Sequence, residues 1–267
     1  MARISIVTPA AAGSRTGNRH TAQRWAQLMR ALGHRVAVGT EWDGRACELL
    51  VALHARRSHR SVARFRAEHP RTPVVVVLTG TDLYRDLPGS AEARSSLALA
   101  DRLVALQDEA RRALPARLRG KLRVIYQSAD TPLRATAPRG RFRVLVSGHL
   151  REEKDPFRAA AALAHLRALP NLEVIQLGAA LSDPMRAEAE GWMRREPAYR
   201  WLGARSHGRA LAWLARSHLL VVSSVMEGGA NVISEATRIG TPVLASRIAG
   251  NIGMLGRGYP GYFPLGD

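Results

Sequence analysis

Glu227 and Glu235 bracket a glycine pair in the run Glu227-Gly-Gly-Ala-Asn-Val-Ile-Ser-Glu-Ala236, and Gly240-Thr-Pro-Val-Leu-Ala245 follows. The run comes after an apolar strand at 218–222 and enters a helix expected over 231–239. Glycines let backbone amides approach an anion closely, and Asn231 is a good helix cap. Glu227 precedes the helix and Glu235 lies about one turn inside it. Helical side chains lean toward the N-terminus, so Glu235 can look back over the loop. A carboxylate there suits two hydrogen bonds from vicinal hydroxyls, such as a ribose, and Glu227 suits the hydroxyls of a second sugar. The plainer alternative is a capped surface helix with two ordinary glutamates.

Three further loops follow strands. Ser147-Gly-His-Leu-Arg-Glu-Glu-Lys154 ends on a cation just before an expected helix over 155–168, so charge and helix N-terminus can act on one phosphate. Alone, Lys154 would read as a solvated lysine. Gly13-Ser-Arg-Thr-Gly-Asn-Arg19 follows the first strand and opens a helix. It is neither a dinucleotide fingerprint nor a P-loop, and a simple turn is the plainer alternative. Its cations, Arg15 and Arg19, and the helix N-terminus beside Gly17 and Asn18 suit an anion. Leu53-His-Ala-Arg-Arg57 and Leu78-Thr-Gly-Thr-Asp-Leu-Tyr84 end two more strands. They offer His54, Arg56, Arg57, Thr79, Thr81 and Asp82, a set suited to an anionic acceptor because arginine forks match oxyanions. His54 could equally be a structural hydrogen-bonder, and Asp82 either orients a neighbour or caps the following turn.

The elements that must hold these loops alternate strand and helix. Strands are expected at 4–8, 35–38, 49–53, 74–78, 102–106 and 123–126, with helices at 58–69, 90–99 and 108–119. A first helix shows Ala22, Trp25, Ala26, Met29 and Leu32 on one face. A polar, proline-bearing stretch over 128–140 follows, and the rhythm restarts with strands at 142–146, 172–177, 199–202, 218–222 and 242–245. Helices are expected there at 155–168, 183–195, 206–216 and 231–239. Continuous apolar strands between amphipathic helices predict two Rossmann-like, doubly wound α/β domains, 1–134 and 135–267, with a cleft between them. Ligands in such sheets bind outside the carboxyl ends of the strands, where all these loops lie. The tail, Gly261 to Asp267, shows no closing helix, and the natural chain is expected to run on past Asp267.

Composition excludes several classes. With 267 residues, 46% hydrophobic and 23% charged, the chain is globular in character. No apolar run approaches the ~20 residues of a membrane span, and the N-terminal apolar stretch is too short for a signal peptide. A cytoplasmic protein without a membrane partner is expected. The single Cys47 excludes an intrachain disulfide. The net charge of +18 invites a nucleic-acid reading. However, all but two of the 40 basic residues (the exceptions are Lys121 and Lys154) are arginines spread along the chain, and only 5% of residues are aromatic. Little is left to stack on bases, so nucleic acid is not the expected partner. No Asp-x-Asp occurs, which points to charge neutralisation by Lys, Arg and helix dipoles with no metal.

Glu227 to Ala245 resembles the donor-binding motif of the retaining GT-B glycosyltransferases (family 4) that include sucrose synthases and many bacterial sugar transferases. The resemblance implies that Glu227 contacts the donor sugar, Glu235 the nucleotide ribose, and Gly228, Gly229, Ala230 and Asn231 the sugar and phosphate. Ser147 to Lys154 resembles that family's Gly-Arg-Leu-x-x-x-Lys, where Arg and Lys hold the diphosphate. His149 stands where Arg is usual, and Arg151 is placed to substitute.

The whole chain more narrowly resembles the selenosugar synthases of selenoneine biosynthesis. The residues that carry this include Thr8-Pro9, Gly13 to Asn18, Ala31 to Val36, Ala52 to Ser58, Thr79 to Asp86, Gly148 to Arg151, Glu227 to Asn231 and Pro260 to Pro264. This implies transfer of selenium from selenophosphate to the anomeric carbon of a UDP-sugar, with UDP-N-acetylglucosamine the expected donor and no cofactor beyond the two substrates. The acceptor side then falls to Gly13, Arg15, Gly17, Asn18, Arg19, His54, Arg56, Arg57, Thr79 and Thr81. His54, Asp82 and Glu227 are the candidates for acting at the reacting atoms. The alternative is a conventional GT-B transferase with an oxygen acceptor.

Overall fold

The computed structural model describes residues 1–14 and 16–267. They form two compact units. The first comprises 1–127 with 227–230, and the second 128–226 with 231–267.

The first unit is built on a parallel sheet of β1 (Arg3–Val7), β2 (Arg35–Gly39), β3 (Leu49–Leu53), β4 (Val74–Leu78), β5 (Arg102–Ala105) and β6 (Leu122–Val124). Their order is β2-β1-β3-β4-β5-β6. Both faces are buried, which is why β3 and β4 are apolar at every position. Leu50, Ala52, Val74, Val76 and Leu78 pack on one side with Phe65 and Val62 of the helix His59–Glu68. Val51, Leu53 and Val77 pack on the other with Ala22 and Ala26 of the helix Gly17–Ala31. Each fully buried Val, Leu or Phe among them contributes roughly 1.5–3 kcal/mol. Leu32, expected on that helix's apolar face, lies past its end and is 77% exposed.

The expected helix over 108–119 breaks into Ala110–Ala113 and a 3-10 stretch, Ala116–Lys121. Pro115 explains the break, because it forces Leu114 into an extended conformation (φ −89°, ψ 141°).

The second unit repeats the architecture with β7 (Phe142–Ser147), β8 (Leu172–Leu177), β9 (Tyr199–Trp201), β10 (Leu219–Val222), β11 (Val243–Ser246) and β12 (Tyr262–Phe263). The order is β12-β11-β10-β7-β8-β9, again parallel. The helix expected over 155–168 shrinks to Arg158–Ala162 followed by a 3-10 turn, Leu163–His165. Asp155 is left-handed (φ 42°) and Pro156 follows, so the helix cannot start at 155. The helix Ala249–Leu255 and the short edge strand β12 add to the elements expected from the sequence. Among the described residues, no helix is long and apolar enough to cross a membrane.

In each sheet the strand order reverses beside the unit's first strand. The reversal lies between β1 and β3 in the first unit, and between β7 and β10 in the second. Ligand crevices of open parallel sheets form at such reversals, at the carboxyl ends. An apolar recess of about 600 Å³ in the second unit is lined by Phe142, Leu172 and Leu219, at the opposite, amino ends of β7, β8 and β10.

Candidate active site

The loops after β3 and β4 form one cluster in the first unit. Asp82 is fully buried and serves as its anchor. Its Oδ1 accepts the amides of Thr79 (2.8 Å) and Gly80 (2.9 Å), and its Oδ2 accepts that of Ala55 (2.8 Å). Of the two roles open to Asp82, the structure therefore gives the orienting one: it fixes neighbouring loops rather than capping the turn after it.

His54 is 1% exposed and adopts φ 75°. A left-handed, non-glycine residue of this kind costs on the order of 1–3 kcal/mol and is kept only where its surroundings hold it. Here the His54 amide donates to Val77 O at 2.9 Å, and its carbonyl accepts from Ser58 at 3.0 Å. Burial pushes its imidazole below the usual histidine range, against the opposing pull of Asp82. The ring is thus neutral at pH 7. The Arg57 amide donates to Nδ1 at 3.3 Å, so the ring proton sits on Nε2, which lies 3.0 Å from Thr81 Oγ1. Arg56 Nε donates to Asp86 at 2.7 Å. Asp86, absent from the sequence-based set, closes the π-helical turn Asp82–Asp86. Its sequence signals are its place four residues after Asp82 and its position at the end of the run Thr79 to Asp86.

Gly13, Gly17, Asn18 and Arg19 lie in the loop after β1 and the first turn of its helix, and β1 is the neighbour of β3 in the sheet. Among the described residues they make no hydrogen bond to the His54 cluster. Arg15 lies outside the described residues.

The four residues 227–230 group with this unit. Gly228 lies so close to Thr79 that a Cβ would come within 2.3 Å of its carbonyl carbon. The glycine therefore has a packing reason besides anion approach. Glu227 and Ala230 are buried, while Gly229 is half-buried.

In the second unit, the loops after β7 and β10 are tied together. Ser223 Oγ donates to the carbonyls of Lys154 (3.1 Å) and Asp155 (2.7 Å), and the Val225 amide donates to Glu153 O (3.0 Å). The Lys154 stem runs over Gly148. His149 Nδ1 accepts the Ala179 amide at 3.1 Å. Arginine has no acceptor and could not make this bond, which gives His149 a physical reason to replace it. Gly178, at φ 140°, completes the fit: a Cβ there would meet Gly148 O at 1.9 Å. Arg151 lies 3.9 Å from Glu153. With a helix of only five residues beginning at Arg158, the dipole expected to aid Lys154 is small, and the side-chain charges dominate.

Asn231 opens the helix Asn231–Ile239, and Glu235 lies within it. Glu235 Oε1 meets His207 Nε2 at 2.9 Å, a pairing with no signal in the sequence. That bond raises the His207 pKa above the usual histidine value. The pair therefore stabilises the fold fully below the unfolded histidine pKa of ~6.5 and loses that contribution as pH rises through the raised value. An NMR titration of His207 should show a midpoint above that of free histidine, and Glu235→Gln should bring it back. A wild-type midpoint at or below the free value would contradict the pairing.

Comparison with solved structures places the architecture. Sucrose-phosphate synthase of Thermosynechococcus elongatus superposes with a TM-score of 0.76 at 15% identity, over 99% of this chain and 86% of that one. Anabaena HepE in complex with UDP and glucose gives 0.76 at 18% identity, over 100% and 87%. The same protein in complex with UDP-glucose gives 0.74 at 18%, over 100% and 86%. The chain has the GT-B fold, and its residues 133–263 match the family of Glycosyl transferases group 1.

Proposed function

We propose that this chain is a UDP-sugar-dependent glycosyltransferase that forms a carbon–selenium bond. Selenophosphate attacks the anomeric carbon of UDP-N-acetylglucosamine through selenium, and the bond from that carbon to the diphosphate oxygen breaks to release UDP. Water then cleaves the phosphorus–selenium bond, giving phosphate and the selenosugar. The acceptor side is assigned to 1–134 and the donor side to 135–267. On the donor side, Lys154 and Arg151 neutralise the diphosphate, with His149 shaping their loop. Glu235 takes the ribose, Glu227 the sugar, and the 228–231 backbone the sugar and phosphate. A glycosyltransferase is supported by the family match over 133–263, and UDP as its nucleotide by the UDP and UDP-glucose held by the HepE structures.

The observation that carries the acceptor is the state of the bases around His54. His54 Nδ1 is occupied by the Arg57 amide, and both Asp82 oxygens by amides. Asp86 is tied to Arg56. An alcohol acceptor needs a positioned base to remove its proton, whereas a selenium anion arrives ionised. An arginine-rich set without an available base fits the second. Gly13, Arg15, Gly17, Asn18 and Arg19 join Arg56, Arg57, Thr79 and Thr81 in receiving the anion. Catalysis then rests on stabilising the leaving diphosphate and holding two anions that repel each other.

Mass spectrometry of a reaction with UDP-N-acetylglucosamine and fresh selenophosphate, without added metal, tests this. A product with the selenium isotope pattern, formed alongside UDP, is expected. UDP release without selenium incorporation would favour an oxygen acceptor. Absence of both turnover and binding of any UDP-sugar would remove the glycosyltransferase reading itself.

A further inference from the structure

Arg56 carries a guanidinium 38% exposed, and its Nε alone is bonded, to Asp86 at 2.7 Å. Among the described residues, its two terminal nitrogens have no partner. Asp86 itself is 8% exposed, and its Oδ2 lies 3.8 Å from His54 Nε2. It stands at the end of a π-helical turn whose other end, Asp82, is clamped by three amides. Asp86 is therefore held on a backbone that Asp82 has already fixed, and it fixes Arg56 in turn. Bonding through Nε leaves the fork-shaped end of a guanidinium, the part that matches an oxyanion in two parallel bonds, with its donors unspent.

Thr81 completes the pattern. Because Nδ1 of His54 accepts an amide, Nε2 is the donor, and Thr81 Oγ1 is the acceptor of that bond. The Thr81 hydroxyl proton is then left to donate. The Arg56 fork and the Thr81 hydroxyl thus both offer donors.

We propose that Asp86 is the positioning residue of the acceptor subsite: by holding Arg56 through Nε, it presents the guanidinium fork, beside the Thr81 hydroxyl, to the tetrahedral oxyanion of the acceptor. This rests on the reading of a phosphate-bearing acceptor given above. It adds a residue outside the predicted set and the ligand chemistry that the subsite selects, a compact oxyanion with at least two oxygens in one plane.

The test uses inorganic phosphate as a non-transferring mimic, as a competitor of selenophosphate in steady-state kinetics and in calorimetric titration of the whole chain. Asp86→Ala should raise the acceptor KM and the phosphate inhibition constant at least tenfold each, while the UDP-sugar KM stays within twofold. Asp86→Glu, which keeps the carboxylate, should recover part of the loss. A merely structural role would move both KM values together. If the alanine variant does not fold, Asp86→Leu carries the same test, because it fills a similar volume and offers Arg56 no acceptor. Phosphate competition in the wild type with unchanged constants in the variants would overturn the role of Asp86 and leave the acceptor reading standing. Failure of the wild type to bind phosphate or selenophosphate would overturn the acceptor reading, and this inference with it.

Discussion

Asp82→Ala should remove about 3–9 kcal/mol of stability from the first unit, since it leaves three amides, two buried and one partly buried, without an acceptor at about 1–3 kcal/mol each. The donors are the amides of Ala55, Thr79 and Gly80, and Asp82 has no solvent exposure through which water could replace it. A domain is stable by roughly 5–15 kcal/mol in all, so the loss is a large fraction of the whole. Thermal unfolding followed by calorimetry should show the transition of the first unit falling by many degrees. Asp82→Asn should do less harm, because one oxygen remains. Transfer should be lost along with stability, because the loops carrying His54, Arg56 and Thr81 lean on this carboxylate. An unchanged unfolding temperature for the alanine variant would show that the clamp is dispensable.

Lys154→Met should lower transfer from the UDP-sugar by about 10²–10³-fold in kcat, the effect typical of removing one group that stabilises a developing oxyanion. The side chain is aliphatic up to its ammonium, so methionine keeps most of the packing over Gly148 and removes the charge. The loop itself is held through backbone carbonyls, by Ser223, and should survive the change. Unfolding should therefore be nearly unaltered while turnover collapses. A kcat within threefold of wild type would mean that Arg151 or another cation carries the leaving group.

Strands over 49–53 and 74–78, and helices over 183–195 and 231–239, coincide with the expected ranges because their apolar pattern is set by local burial. The failures are also local in cause. Pro115 and the left-handed Asp155 stop helices that periodicity alone extends. The clustering of the loops after β3 and β4 was legible because His54, Arg56, Thr81 and Asp82 follow neighbouring apolar strands directly. The roles within the cluster were not. The bond from Arg56 to Asp86 spans thirty residues, and that from His207 to Glu235 twenty-eight. Neither leaves a periodic trace. The same holds for His149, whose replacement of arginine becomes intelligible only once the Ala179 amide is beside it.

Under the proposed acceptor chemistry, the donors offered by the Arg56 fork and the Thr81 hydroxyl bear on how the enzyme chooses between chemically similar anions. Phosphate and selenophosphate share the oxygens that guanidinium and hydroxyl donors recognise, so a subsite of this kind holds both. Discrimination at the binding step is then weak, and selection moves to the rate of attack on the anomeric carbon, where polarisable selenium outpaces oxygen. Under the proposed reaction, the cell's phosphate pool would act as a standing competitor. With both anions near saturation, output under that proposal follows the ratio of selenophosphate to phosphate, which would make the reaction a gauge of selenium supply.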